Sequence, residues 1–217
     1  MNALAARPGV HFAVVGDDLV SLDVPNGAYA CFPGVGSAIR FADDGSVWPL
    51  LSEVREPLLE AGLLHACPVT RPRASPLPAL PTNSAWRTAE PKVEPSDRIR
   101  MAAAAVRGVT AYWARPFGAL LAEAGRRRQA PPERLDSEIG RDAQVFDRLL
   151  PFVPFQGECL FRSYLLLRFL RLAGRDARWV IGVQTYPFQA HCWLQVGDTV
   201  LDDAAERLCG YTPILAI

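Results

Sequence analysis

Seven prolines fall between residues 68 and 95, at 68, 72, 76, 78, 81, 91 and 95, with Ser, Thr and Asn among them. Each proline fixes its own φ and lacks an N–H to donate. Such a stretch cannot fill a core and reads as a semi-extended linker. The chain therefore divides into an N-terminal unit over residues 1–67, a linker over 68–95 and a C-terminal unit over 96–217. Charge divides at nearly the same place. Residues 1–70 carry 3 basic and 8 acidic side chains, and the remainder carries 20 and 15, which sum to a formal net charge of zero. Neither unit has the basic excess of a nucleic-acid binder. The one dense basic run, Arg126-Arg127-Arg128, reads as a solvated helix end.

The N-terminal unit opens with short strand signals at Phe12–Val15, Leu19–Asp23 and Ala28–Phe32. Each is closed by turn residues (Gly16-Asp17-Asp18, Pro25-Asn26-Gly27, Pro33-Gly34), which predicts a three-stranded meander. Two amphipathic helices are expected next, at Gly36–Phe41 and Leu50–Glu60, the second capped by Gly62. About 65 residues with few core positions make a small unit, better suited to binding than to catalysis.

In the C-terminal unit, Ser96-Asp97 reads as a helix start. Helices are expected over Ile99–Arg115, Phe117–Arg128 and Pro132–Leu150. The first has Val106, Val109, Tyr112 and Trp113 for its apolar face, and the last has Ile139, Ala143, Phe146 and Leu149–Leu150. A further helix begins at Cys159 and carries Leu160, Tyr164, Leu167 and Leu170–Leu172 until Gly174 closes it. The period then changes to two. Arg178–Thr185, Ala190–Val196 and Thr199–Leu201 read as strands, with Gly197-Asp198 a hairpin turn. Helices followed by an antiparallel sheet make an α+β domain.

The chemistry-bearing residues lie in that second half. Cys159 heads a helix, where unpaired amides and the helix dipole favour a thiolate. His191 follows on a strand, and Asp202 and Asp203 follow on the strand that returns past it. This is the order of a thiol hydrolase: a nucleophile, a base to take its proton, and an acid to orient the base. Alternation lets only one of the two acids face inward and does not choose between them. It also places His191 and Trp193 on one face and Cys192 on the other. The Cys159 amide and the side chain of Gln156 are candidate oxyanion donors. Cys31, Cys67 and Cys209 read as small buried hydrophobes, and Asp176, Arg178 and Glu206 as solvated.

Other chemistries lack their residues. Lys92, the single lysine, has no phosphate-binding glycine loop around it. Gly34-Val35-Gly36 lacks the third glycine and later acid of a dinucleotide site. Three histidines (11, 65 and 191) without paired ligand spacing predict no metal site. Five cysteines without a C-x-x-C, no signal-like N-terminus and no long apolar run predict a cytoplasmic protein off the membrane.

These stretches carry a resemblance. Gly157–Ser163, Gly182-Val183, Pro187-Phe188, Ala190–Leu194, Leu201–Asp203 and Tyr211–Leu215 resemble the transglutaminase-like cysteine protease of lasso-peptide biosynthesis, the B protein. The first 65 or so residues are similar to the PqqD-like leader-peptide recognition element, a three-stranded winged-helix module. Both together resemble the fused form of the B protein. The resemblance implies a papain-like α+β protease with Cys159 as nucleophile, His191 as base and Asp203 as acid, Asp202 being the fallback. It implies cleavage of a leader from a ribosomally made precursor peptide. The partners it implies are that precursor and an asparagine-synthetase-like cyclase, through which any ATP requirement would enter. Leader binding would resemble strand addition to Ala28, Tyr29, Ala30, Cys31 and Phe32, with Val54, Leu58 and Leu59 as groove wall. Two other activities fit parts of the pattern: amide transfer of transglutaminase type, and a non-catalytic adaptor presenting the precursor to the cyclase.

Overall fold

A computed structural model of the chain describes residues 4–42, 46–66, 76–85, 91–126, 131–154 and 158–217. It separates into two compact units. One comprises Met1–Leu77 with Val183–Gln189, the other Pro78–Gly182 with Ala190–Ile217.

Among its described residues the first unit holds seven strands and one α-helix: β1 (Leu4–Ala6), β2 (Val10–Val15), β3 (Asp18–Asp23), β4 (Ala28–Phe32), β5 (Ile39–Phe41), β6 (Ser46–Pro49), α1 (Ser52–Glu60) and β7 (Leu64–Ala66). The expected meander is present as an antiparallel β2-β3-β4 sheet. Its central strand, β3, is buried at every position. A polar residue inside such a strand needs partners, and Asp18 accepts the Gly34 amide at 3.0 Å. The expected helix at Gly36–Phe41 is instead a single 3₁₀ turn, Gly36–Ala38, running into β5. β5 joins a second sheet in the order β5-β6-β1-β7, which local periodicity does not reveal because each strand has three or four residues. Leu4, Leu19, Ile39, Val47, Val54, Leu58 and Leu64 form the core between these elements.

The second unit is built around one helix. Its elements are β8 (Asn83–Ser84), α2 (Pro95–Ala114), α3 (Phe117–Gly125), α4 (Ser137–Leu149), α5 (Cys159–Leu172), β9 (Arg178–Gln184), β10 (Gln189–Val196), β11 (Thr199–Val200), α6 (Ala205–Leu208) and β12 (Thr212–Ala216). Phe161, Ser163–Leu167, Phe169 and Leu170 of α5 are all buried. A helix buried over most of its surface is an interior helix, and α2 and α4 both pack on it. Contact with α2 is close at Gly108, where a Cβ would stand 2.9 Å from Leu165 Cδ1. Arg100 of α2 lies 4.0 Å over the Phe169 ring and also pairs with Asp142 of α4, whose side chain is 2% exposed.

Three expectations are corrected here. The proline-rich stretch is not wholly a linker, because residues 78–85 belong to the second unit. β8 pairs in parallel with β11, completing a sheet of order β12-β9-β10-β11-β8. Its anchors are Ala85 N to Val200 O at 2.8 Å and Gln195 Nε2 to Ala79 O at 2.8 Å. Prolines are tolerated beside so short an edge strand, where missing donors face no neighbour. Asp176 is not solvated: it is 4% exposed and takes two hydrogen bonds from Arg171. On α2 the buried side is Met101, Ala104, Gly108 and Ala111, whereas Val106 and Trp113 of the expected apolar face are 67% and 69% exposed.

Candidate active site

α5 begins at Cys159 because the Glu158 carbonyl accepts the first helical amides, Phe161 N at 3.0 Å and Arg162 N at 3.2 Å. This sets Cys159 in the first turn, where amides lack intrahelical acceptors. Its thiol is partly exposed. Ser163, one turn on, donates to the Cys159 carbonyl at 2.7 Å and accepts from Trp179 Nε1 at 2.8 Å, tying the helix start to β9.

β10 brings His191 to this helix end. The ring stands between Trp193, 6.3 Å away, and Tyr211, 5.4 Å away. Its Nε2 lies 2.7 Å from Asp203 Oδ2, and the Cys159 thiol is among the groups that raise the imidazole's pKa. A ring that donates Nε2–H to a carboxylate presents its other nitrogen, Nδ1, to the thiol. Asp203 is held in turn by the Ala204 amide at 2.7 Å, with Arg207 Nη1 3.4 Å away. Asp202 points elsewhere and accepts the Leu194 amide at 2.9 Å. The two neighbouring acids thus part: Asp203 lies on the histidine, Asp202 under the strand.

Charge in this cluster is redistributed strongly. The Cys159 thiol is lowered to about 4, first by its hydrogen bond with the Cys192 thiol, then, against the cost of burial, by His191 and the Cys192 backbone N–H. Burial disfavours the charged form of His191, yet its hydrogen bonds to Asp203 and Cys159 raise it to about 9. Between those limits the pair is thiolate and imidazolium. Asp203 is lowered despite burial by His191, the Ala204 amide and Arg207. Complete burial raises Asp202 to about 7, opposed by the Leu194 N–H and the Arg162 charge. Cys192 is driven the other way, well above its usual value, by its hydrogen bond to Cys159 and by burial. One thiol keeps its proton so that the other can lose its own.

Cys192 is a functional neighbour the sequence reading missed. Alternation correctly separates it from His191, since Cys192 is buried and 3.3 Å from Ser163 Oγ, yet both residues lower the Cys159 thiol. Tyr112 of α2 was also missed. Its ring lies 5.2 Å from Phe161, and its hydroxyl is raised by burial and by the charges of Glu158, Cys192 and Cys159. Neither position has a spacing that marks it out beforehand.

The remaining expectations are placed as follows. Gln156 and Cys67 lie outside the described residues. Cys31 and Cys209 are exposed, not buried hydrophobes, because they stand on an edge strand and on the turn after α6. β4 is an edge strand, with Ala28, Ala30 and Cys31 exposed and Tyr29 and Phe32 partly covered. Tyr29 pairs with Phe188 of the same unit at 5.6 Å. Val54 and Leu58 are no groove wall: at 7% and 1% exposure they are core side chains, and only Leu59 stays partly exposed. Among the described residues, no group of three His, Cys, Asp or Glu is arranged to hold a metal ion, and no helix is long and apolar enough to cross a membrane.

A thiolate beside an imidazolium, itself held by a carboxylate, is equipped to attack a carbonyl carbon and protonate the leaving group. The family model for the transglutaminase-like superfamily matches residues 105–216, a little over half of the chain and every residue of the cluster. The microcin J25-processing protein McjB of Escherichia coli is 48% identical over 50 residues, a match covering 23% of this chain and 24% of that protein. No solved structure matches.

Proposed function

The chain belongs to the transglutaminase-like superfamily, and from that premise we propose that it is a cysteine peptidase of lasso-peptide maturation that releases the leader of a precursor peptide. The observation that carries this reading is the Cys159–His191–Asp203 cluster, with Nε2 of His191 2.7 Å from Asp203. The stretch similar to a microcin-processing protein supplies the substrate class. In the proposed reaction the Cys159 thiolate adds to the scissile carbonyl. The developing oxyanion is met by the Cys159 amide, with Gln156 our proposed second donor. Collapse expels the amine of the downstream peptide, which takes the proton from imidazolium. The neutral imidazole then removes a proton from water, hydroxide opens the thioester, and the leader leaves as a carboxylic acid. Asp203 keeps Nε2 protonated throughout, so Nδ1 always faces the sulfur.

We read the first unit as a PqqD-like leader-recognition module in which the precursor adds to the β4 edge at Ala28–Phe32. The proposed partner for the released peptide is an asparagine-synthetase-like cyclase, where any ATP would be used. The test is to incubate the purified chain with its precursor, with and without cyclase and ATP, and to read product masses against Cys159→Ala. Two fragments summing to precursor plus water, from wild type alone, support the peptidase. A gain of mass with loss of ammonia points to amide transfer, and tight binding without cleavage points to an adaptor.

A further inference from the structure

Tyr211 and His191 meet although their strands are not neighbours. The sheet order β12-β9-β10 puts β9 between them, and strands separated by one neighbour lie roughly 9–10 Å apart. Tyr211 stands just before β12, and β12 is anchored to β9 by the reciprocal Trp179–Ile217 backbone bonds, both 2.8 Å. Its ring nonetheless reaches to 5.4 Å from the His191 ring, at an interplanar angle of 38°. The opening for it is Gly182 of β9, where a Cβ would stand 3.2 Å from Tyr211 Cβ and 2.8 Å from the Trp193 ring. A glycine inside a strand often marks such a close approach.

Two rings flank the imidazole, and distance separates their roles. An aromatic face attracts a cation that lies within about 6 Å of its centroid. Trp193 is beyond that limit at 6.3 Å. It is also fully buried and gives its Nε1–H to Gln195, so it serves the core. Tyr211 is inside the limit and partly buried. Burial, then the Cys159 charge, raises the Tyr211 hydroxyl, so the ring stays a neutral phenol while the histidine is charged. Facing the imidazole from the other elements are Asp203 at 2.7 Å, with Arg207 3.4 Å from that carboxylate, and Cys159 at the start of α5. Asp203 fixes one nitrogen, but a single hydrogen bond leaves the ring free to rock about it. We propose that Tyr211 is a positioning residue of the active-site cluster, its ring face steadying the His191 imidazolium between Asp203 and Cys159 through the opening at Gly182.

The proposal rests on the thiolate–imidazolium pair and is read first without a substrate, so it stands or fails apart from the peptidase reading. In the full chain with isotope-labelled histidine, NMR titration of His191, assigned by comparison with His191→Gln, reads the upper limit near 9. Tyr211→Phe keeps the ring face, so that limit should stay. Tyr211→Leu keeps apolar cover without the face, so the limit should fall by about 0.5–1 pH unit, the worth of one such contact. Tyr211→pentafluorophenylalanine keeps the ring's shape and reverses its quadrupole. The limit should fall there at least as far, and this variant decides the matter where leucine unfolds the chain. With the precursor, Tyr211→Leu should lower kcat by about tenfold and leave KM unmoved, as a tilted base does. An unmoved His191 titration in the leucine or the fluorinated variant, or a phenylalanine variant as shifted as leucine, would overturn the proposal. A raised KM with unchanged kcat would make Tyr211 a substrate contact and overturn it as well. Titrations that shift as expected in a chain that cleaves nothing would support the proposal and sink the peptidase reading alone.

Discussion

Nε2 of His191 lies 2.7 Å from Oδ2 of Asp203, while the adjacent Asp202 turns its carboxylate to the Leu194 amide. Two neighbouring acids of the same type therefore have separable roles. Asp203→Ala should cost kcat/KM on the order of 10³- to 10⁴-fold, because no side chain then accepts Nε2–H or stabilises the imidazolium. Asp202→Asn keeps an oxygen for the Leu194 N–H, so its effect should be within about tenfold. Steady-state cleavage of the precursor by the two variants checks this; equal losses would sink the assignment of Asp203.

The values near 4 for Cys159 and 9 for His191 predict a broad window of thiolate reactivity. They belong to the coupled pair, not to either group alone. As pH falls through about 4 the thiolate gains its proton and alkylation by iodoacetamide should fade. At pH 6 Cys159 should still be alkylated, whereas exposed Cys31, whose thiol is raised by burial and by Asp18, should not. Peptidase activity should also decline above about pH 9, where the imidazolium loses the proton that the leaving amine needs. His191→Ala should move the lower limb up toward an ordinary thiol. Peptide mapping by mass spectrometry after timed alkylation reads the lower limb without any substrate, and precursor cleavage against pH reads the upper one.

What the sequence made legible was local. The helix that starts at Cys159, the change of period after Gly174 and the turn at Gly197-Asp198 are patterns over a few residues, and each recurs in the structure. What it hid was pairing over distance. β8 finds β11 across more than a hundred residues, and β1 finds β6 and β7, through strands too short to show alternation. The apolar face of α2 was misjudged for a related reason. Val106 and Trp113 are hydrophobic, but the small residues Ala104, Gly108 and Ala111 are the ones that let α5 approach. Cys192 escaped because a strand residue's face can be inferred while the helix end it will meet cannot.

Gly182 should be sensitive to the smallest added group. A Cβ there would stand 2.8 Å from the Trp193 ring and 3.2 Å from Tyr211 Cβ, and both of those rings flank His191. Trp193 is fully buried and its Nε1 is held by Gln195 at 3.0 Å, so it has little room to yield. Gly182→Ala should destabilise by about 1–3 kcal/mol, as overpacking does. It should also lower kcat more than it raises KM by tilting the imidazole. Denaturant unfolding and steady-state kinetics on the same variant separate the two effects.

The last prediction concerns the ion cluster that joins α2 to α4. Asp142 is 2% exposed at its side chain and receives Arg100, at 2.7 Å and 3.0 Å, and Arg175. Asp97, also buried, receives Arg100 at 2.8 Å and Arg141 at 2.7 Å. Removing one partner of a buried set strands the others, which costs more than the set contributes to stability. Asp142→Ala should therefore destabilise by about 3–5 kcal/mol, whereas an Arg100→Met/Asp142→Leu pair should recover much of that loss. The thiolate limb near pH 4 should not move in either variant that remains folded, since no residue of this cluster contributes to the Cys159 shift. Urea midpoints for the single and double variants test the first part, and alkylation of Cys159 tests the second. A single variant as unstable as predicted but with an unmoved limb would separate the scaffold of α2, α4 and α5 from the chemistry at the helix end.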